Sequence, residues 1–258
     1  MKIYIFCDME GISGITQRDH VLQGTVLYPI GCKLMEMDIN ACIEGCFKAG
    51  VSELIIRDGH GAGINVNPLE IDQRAELIQG ESGNCRFPGL DDCDALILLA
   101  YHAMAGTRNA ILEHTFNSAK IQNMWLNGKL AGEFAIDATI AAEHKVPTIM
   151  TSGDDKLCAE AQAFMPEVIT CQVKTALSLY GAQMLSPQKA HELIIAKTIE
   201  AIGKIKSIPL PKVISPVKLK TELIERGVLP SDKKEGVRLI DGRTSEVSRE
   251  TLESALLD

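Results

Sequence analysis

Aromatic side chains are scarce in this 258-residue chain, at 4% of the total, and Trp125 is its single tryptophan. That scarcity argues against a base-stacking platform. Positive charge is short as well: 26 Lys and Arg against 34 Asp and Glu leave a formal net charge of −8. The basic residues are scattered, so the electrostatic footprint of a nucleic-acid binder is missing. The longest unbroken apolar run, residues 95–101, falls far below the ~20 residues of a membrane span. After Met1-Lys2 only five apolar residues precede Asp8, too few for the core of a secretory leader. Together these shortages predict a cytoplasmic protein with no nucleic-acid and no membrane partner.

Other patterns are missing too. The eight cysteines include no pair at zinc-ribbon spacing, and in a long chain without an export signal an even count is no disulfide framework. They read as reduced structural residues. Cys32, Cys42 and Cys46 share a helical face with Met35 and Ile39, and strand alternation turns Cys7 away from Asp8 toward the core. The clusters Gly11/Gly14 and Gly59/Gly61/Gly63 do not make Gly-x-Gly-x-x-Gly, and Gly-Lys-Ser/Thr does not occur, so nucleotide binding is a poor reading. Asp8-Met9-Glu10-Gly11 lacks the later ligands of a calcium loop.

What the chain does hold is core material, 46% apolar with 23% charged, as in an average globular protein. Its length suits one large domain or two smaller ones. Strand patterns at 3–7, 54–57, 95–101 and 147–151 alternate with helical ones at 31–49, 133–144 and 155–164. Asn127-Gly128 marks a hairpin between 120–126 and 129–130. This is the grammar of an α/β fold, a mostly parallel sheet flanked by helices. From about residue 168 the order changes: a strand at 168–174, a helix from Ser186-Pro187 to about 205, strands at 217–223 and 237–240, and a last helix from about 248. The pattern predicts an α/β domain over 1–166 and a smaller C-terminal α+β unit over 167–258.

Ligands of open α/β sheets gather outside the carboxyl ends of the strands. Asp8 and Glu10 follow the first strand, Asp58-Gly59-His60-Gly61 the second, Tyr101-His102 the long apolar one, and Ser152-Gly153-Asp154-Asp155 the next. Glu133 opens the helix after the hairpin. Singly, Asp8 and Glu10 fit a solvated turn, His60 or His102 a structural histidine, and Glu133 a partner for a helix dipole. Jointly, five hard or borderline ligands repeat one placement. Two histidines and three carboxylates suit zinc. Their number exceeds the needs of one tetrahedral ion and favours two metals ~3.5–4 Å apart, as in two-metal hydrolases. Lys174 and Asp154 are further candidates for the pocket, while His20, His144 and His191 read as surface residues.

The same segments carry a resemblance. Asp8-Met9-Glu10-Gly11-Ile12-Ser13-Gly14 resembles the signature of the DppA-type D-aminopeptidases. So do Asp58-Gly59-His60-Gly61, Tyr101-His102-Ala103, His114-Thr115, Asn127-Gly128, Gly132-Glu133 and the run from Ser152 to Ala159, in order from residue 1 to about 190. The resemblance implies a zinc-dependent aminopeptidase that cleaves the N-terminal bond of short peptides, those with D-residues included, and assembles into a homo-oligomeric ring. It implies two zinc ions per chain on Asp8, Glu10, His60, His102 and Glu133, with a metal-bridging hydroxide as nucleophile and His114 as a catalytic non-ligand. A free acidic group would hold the substrate ammonium. Phe6 and Gly59 stand where the family has Ser, and Asp137 where Asn is expected, departures that bear on the pocket and on stereospecificity rather than on the ligands. Beside this reading stand another two-metal amidohydrolase or phosphoesterase, and a non-catalytic metal-dependent peptide-binding module, which would have no use for His114.

Overall fold

Unbroken apolar stretches of strand length favour parallel strands covered on both faces, and such stretches build the centre of this molecule. The computed structural model describes residues 1–257. Strand β1 (Lys2–Cys7) leads to the single turn α1 (Arg18–Val21), the long helix α2 (Tyr28–Lys48), and strands β2 (Glu53–Asp58), β3 (Glu76–Ile78) and β4 (Ala95–Leu99). The hairpin of β5 (Ile121–Leu126) and β6 (Lys129–Leu130) follows. Asn127 and Gly128 both take positive φ there, as a two-residue type I′ turn requires. Next come α3 (Glu133–Glu143), β7 (Thr148–Asp154), α4 (Asp155–Phe164), β8 (Ile169–Ser178), β9 (Gly181–Met184) and α5 (Pro187–Gly203). Strands β10 (Val217–Leu223), β11 (Val237–Leu239) and β12 (Thr244–Arg249) precede the last helix, α6 (Leu252–Leu256).

Seven strands form one sheet in the order β3-β2-β1-β4-β7-β8-β9, parallel except for the β8–β9 pair. Helices α2 and α5 pack on one another, and α3 packs on α4 and α6. The expected α/β architecture is therefore present. A second, antiparallel sheet runs β11-β12-β10-β5-β6. Its membership cuts across a division at residue 166. Strand β8 extends the first sheet beside β7, whereas the hairpin at 121–130 joins the second. Hydrophobic pattern signals the type of a segment but not the partner it will pair with. Residues 244–249, expected to lead into a helix from about 248, are instead a strand on β10, and α6 starts only after the Thr251 cap.

Strand order reverses at β1: the chain leaves it for β2 and β3 on one side and returns to β4 on the other. A crevice opens at the carboxyl ends of strands where such a reversal occurs. Cys7 is wholly buried at that point, and all eight cysteines are free.

His144, expected on the surface, is a half-buried clamp at the end of α3. Its Nδ1 lies 2.6 Å from Asp91 Oδ1 and its Nε2 3.5 Å from Glu253 Oε2 on α6. Burial alone would lower its pKa, but the hydrogen bond to Asp91 and the charge of Glu253 outweigh it and raise the pKa. A raised histidine stabilises the fold fully below its unfolded value near 6.5, and that contribution is lost as pH climbs through the folded value. Urea unfolding should therefore show His144→Gln destabilised by roughly 1 kcal/mol at pH 6, with the gap to wild type closing by pH 9. A gap that does not depend on pH would mean the clamp acts by packing alone.

Candidate metal centre

The loop that leaves β1 is pinned before any functional atom is placed. Asp8 donates its N–H to Leu99 O at 2.9 Å and Gly11 donates to Ala100 O at 2.8 Å. A Cβ on Gly11 would lie 2.1 Å from Tyr101 O, so only glycine fits this close approach. From below, the ammonium of Lys174, 2% exposed, donates to Glu10 O at 2.6 Å, Ile12 O at 2.9 Å and Ile15 O at 2.7 Å. Burial pulls the pKa of Lys174 down to about 8, yet only the charged form has three N–H groups for three carbonyls. Lys174 is thus an anchor beneath the loop rather than a pocket wall. Asp154 also holds backbone, capping α4 through the N–H groups of Lys156 and Leu157 and accepting from Ile111 N–H at 2.8 Å.

Asp8 stands in the middle of the site. Its Oδ1 is 3.1 Å from His60 Nδ1 and its Oδ2 is 3.3 Å from His102 Nε2. Glu10 Oε2 lies 3.2 Å from the same His60 nitrogen, and Glu133 Oε1 lies 3.2 Å from the same His102 nitrogen. The five residues read from the strand and hairpin exits therefore meet, as two groups that share Asp8. Each imidazole gives its outer N–H to a backbone carbonyl: His60 to Val21 O at 2.9 Å and His102 to Ala103 O at 3.1 Å. Such bonds fix the tautomer and aim the inner nitrogen.

Do these atoms fit a metal? Glu10 Oε2 and His102 Nε2 are buried, and although they face opposite groups at 3.2–3.3 Å, no contact among the described residues is aligned as a hydrogen bond. Unmet polar atoms at this depth are costly, and an ion seated between the facing donors would satisfy both. The nitrogen and oxygen donor set suits zinc. The electrostatics agree. Burial would lift the Asp8 carboxyl, but His102 and His60 hold it well below the usual range. Burial would lower both imidazoles, but Glu10 with Asp8, and Glu133 with Asp8, push His60 and His102 well above theirs. The site calls for positive charge, which a bound metal would supply.

His114 needs a separate decision. It could join His102 and Glu133 as a third donor, for the three lie within 4.8 Å of one another. Its Nδ1–H is held by Leu112 O at 2.9 Å, and Nε2 lies 3.8 Å from Glu133 Oε1. Its ring, however, stacks on His102 with centroids 4.0 Å apart and planes 11° from parallel. An imidazole lone pair lies in the ring plane, and two stacked, nearly parallel planes do not meet at one nearby ion. The stacking favours one ligand and one free base.

Above the centre opens a cleft of about 790 Å³, walled by His60, His114, Glu133 and Arg86 among others. The three departures noted in the sequence converge beside it. A Cβ on Gly59 would sit 2.0 Å from the Phe6 ring, so Phe6 occupies the space a serine at 59 would need. The Phe6 ring in turn carries the Arg86 guanidinium at 4.4 Å. Arg86 gives Nε and Nη2 to Asp137 at 2.9 and 2.8 Å, and Tyr101 donates its hydroxyl to the same carboxylate at 2.6 Å. Sequence reasoning missed Arg86, which lies in the loop between β3 and β4, away from every strand exit and motif.

A profile of the D-aminopeptidase family, peptidase family M55, matches residues 1–257. The chain belongs to the D-aminopeptidase family. A D-aminopeptidase of Bacillus subtilis strain 168 is 33% identical over 216 residues, 82% of this chain and 78% of that protein. A solved structure, described as the Zn-dependent D-aminopeptidase DppA from Bacillus subtilis, a self-compartmentalizing protease, superposes with a TM-score of 0.92. The match is 27% identical and covers 99% of this chain and 94% of that one.

Within this member of the family, the contact of Phe6 with Gly59 generates a double-mutant test. Gly59→Ser should cost about 1–3 kcal/mol by overpacking. Phe6→Ser should cost more by opening a cavity. The double variant should then be more stable than the two penalties added together predict, by denaturant unfolding. Simple additivity would show that the ring and position 59 do not compete for space.

Proposed function

We propose that this chain is a zinc-dependent aminopeptidase, holding two zinc ions on Asp8, Glu10, His60, His102 and Glu133 and cleaving the N-terminal bond of short peptides, D-residues included. The observation that carries the reading is the division of one carboxylate, Asp8, between two imidazole–carboxylate groups under an open cleft. A carboxylate so placed is suited to bridging two ions. Bound there, zinc would supply a water of lowered pKa and a Lewis acid for the substrate carbonyl. The protein's own part is positional. Asp8, Glu10 and Glu133 supply the negative charge, and the outer hydrogen bonds of His60 and His102 keep those rings from turning. His114, oriented by Leu112 O through its Nδ1–H, presents a free Nε2 to the cleft, which would take a proton from the attacking water and pass it to the departing amine. A phosphoesterase reading finds no comparable support, because the family profile that matches residues 1–257 is that of D-aminopeptidases.

Two further parts of the reading concern context. Among the described residues no helix is long and apolar enough to cross a membrane. Eight free thiols fit a reducing compartment, and on that ground we place the enzyme in the cytoplasm. We also infer a homo-oligomeric ring. The relative described as self-compartmentalizing supports it, as do Val26 and Leu69, which are 90% and 91% exposed on a single chain.

Elemental analysis of zinc-replete protein should give about two equivalents per chain, with hydrolysis of D-alanyl peptides as the activity. His60→Ala or Glu133→Ala should lose metal and turnover together. His114→Ala should keep its metal and lose ~100- to 1,000-fold in kcat. One equivalent of zinc would remove the two-metal reading, and metal loss in His114→Ala would make that residue a ligand. Light scattering should report a mass several times the 28.0 kDa of one chain, and a monomer at micromolar concentration would refute the ring.

A further inference from the structure

Arg86 holds a donor that the protein leaves unused. Asp137 takes Nε and Nη2, and among the described residues no acceptor meets Nη1. That atom is not sealed off: it is absent from the buried atoms without partners, and the side chain stays 18% exposed. Aromatic rings frame the guanidinium, Phe6 at 4.4 Å and Phe116 at 5.3 Å. A fixed, desolvated guanidinium with one free edge is well suited to bind a carboxylate.

Its location decides which carboxylate. Arg86 and Phe116 line both the cleft over the metal centre and a second cavity of about 350 Å³. That second cavity is mainly apolar, with Met124, Leu219 and Val247 in its wall and Thr221 of β10 at its side. Asp137, which holds Arg86, lies four residues along α3 from Glu133, ~6 Å along the helix axis. A substrate with its scissile carbonyl near Glu133 thus lies in the same cleft as the guanidinium of Arg86.

We propose that Arg86 binds the C-terminal carboxylate of the substrate through Nη1 and that the second cavity receives the side chain of that terminal residue, so that a free C-terminus is preferred to a blocked one. This rests on the peptidase reading of the cleft. A C-terminally amidated substrate places a neutral group where the carboxylate would bind and loses the charge-assisted bond. Asp137 and Phe6 act through Arg86, one fixing its plane and the other its face.

The test uses zinc-loaded protein with D-alanyl-D-phenylalanine, its C-terminal amide, and D-alanyl-D-alanine. The free acid should exceed the amide in kcat/KM by ~10- to 100-fold, carried mostly by KM, as loss of one hydrogen bond to a charged group implies. In Arg86→Gln/Asp137→Asn, which leaves no unpaired buried charge, that ratio should fall to near one. A wild-type ratio near one, or a ratio that survives in the double variant, overturns the proposal while hydrolysis of the amide keeps the aminopeptidase reading intact. Should neither compound be cleaved, that reading fails, and calorimetric binding of acid against amide decides the role of Arg86 by the same ratio. Thr221→Phe, which narrows the second cavity, should raise KM for D-alanyl-D-phenylalanine more than for D-alanyl-D-alanine. Equal effects on both would remove the side-chain assignment.

Discussion

Three carboxylates, those of Asp8, Glu10 and Glu133, are buried together at the carboxyl ends of the central strands, and like charges so crowded persist only with positive charge set among them. Much of the surrounding structure answers that demand. His60 and His102 come from two strand exits to face the carboxylates, and backbone carbonyls hold the far side of each ring. The reversal of strand order at β1 is what brings those exits to one place. With strands in simple sequence, Asp8 and His102 would not leave neighbouring strands, and one carboxylate would not reach both imidazoles.

Rigidity beneath the centre has the same origin. A loop that carries two of the carboxylates needs its own backbone satisfied elsewhere. Lys174 closes three carbonyls from β8, and Ser13 donates both N–H and hydroxyl to Asp38 on α2, at 2.7 and 2.6 Å. Asp38 is also 3.2 Å from His191 on α5, so a histidine that looked superficial is part of the loop's support. The loop is thereby tied to the sheet and to both helices of one packed pair.

The strand exits were legible because parallel strands are apolar throughout and end abruptly in polar residues. Asp8, Glu10, His60 and His102 each mark such an end, and Asn127-Gly128 announced its hairpin by backbone requirement alone. Pairing was less legible. Nothing local to 121–130 says that it will join β10, and β8 carries no sign that its neighbour is β7 rather than a strand of the last third. Arg86 was invisible for a related reason: its meaning lies in Asp137, Phe6 and Phe116, none of which is near it in sequence except through the fold. The departures at 6, 59 and 137 were legible as departures. That they meet around one guanidinium was not.

The contact between Phe6 and Gly59 also bears on how such a site can have arisen. A serine at 59 and a phenylalanine at 6 exclude one another at 2.0 Å. From serine at both positions, glycine at 59 first opens a small vacancy, whereas phenylalanine at 6 first meets a collision. Once the ring is seated, serine at 59 alone must displace it and carries an overpacking penalty. The aromatic shelf beneath Arg86 is therefore easier to build by way of glycine than to dismantle by restoring serine.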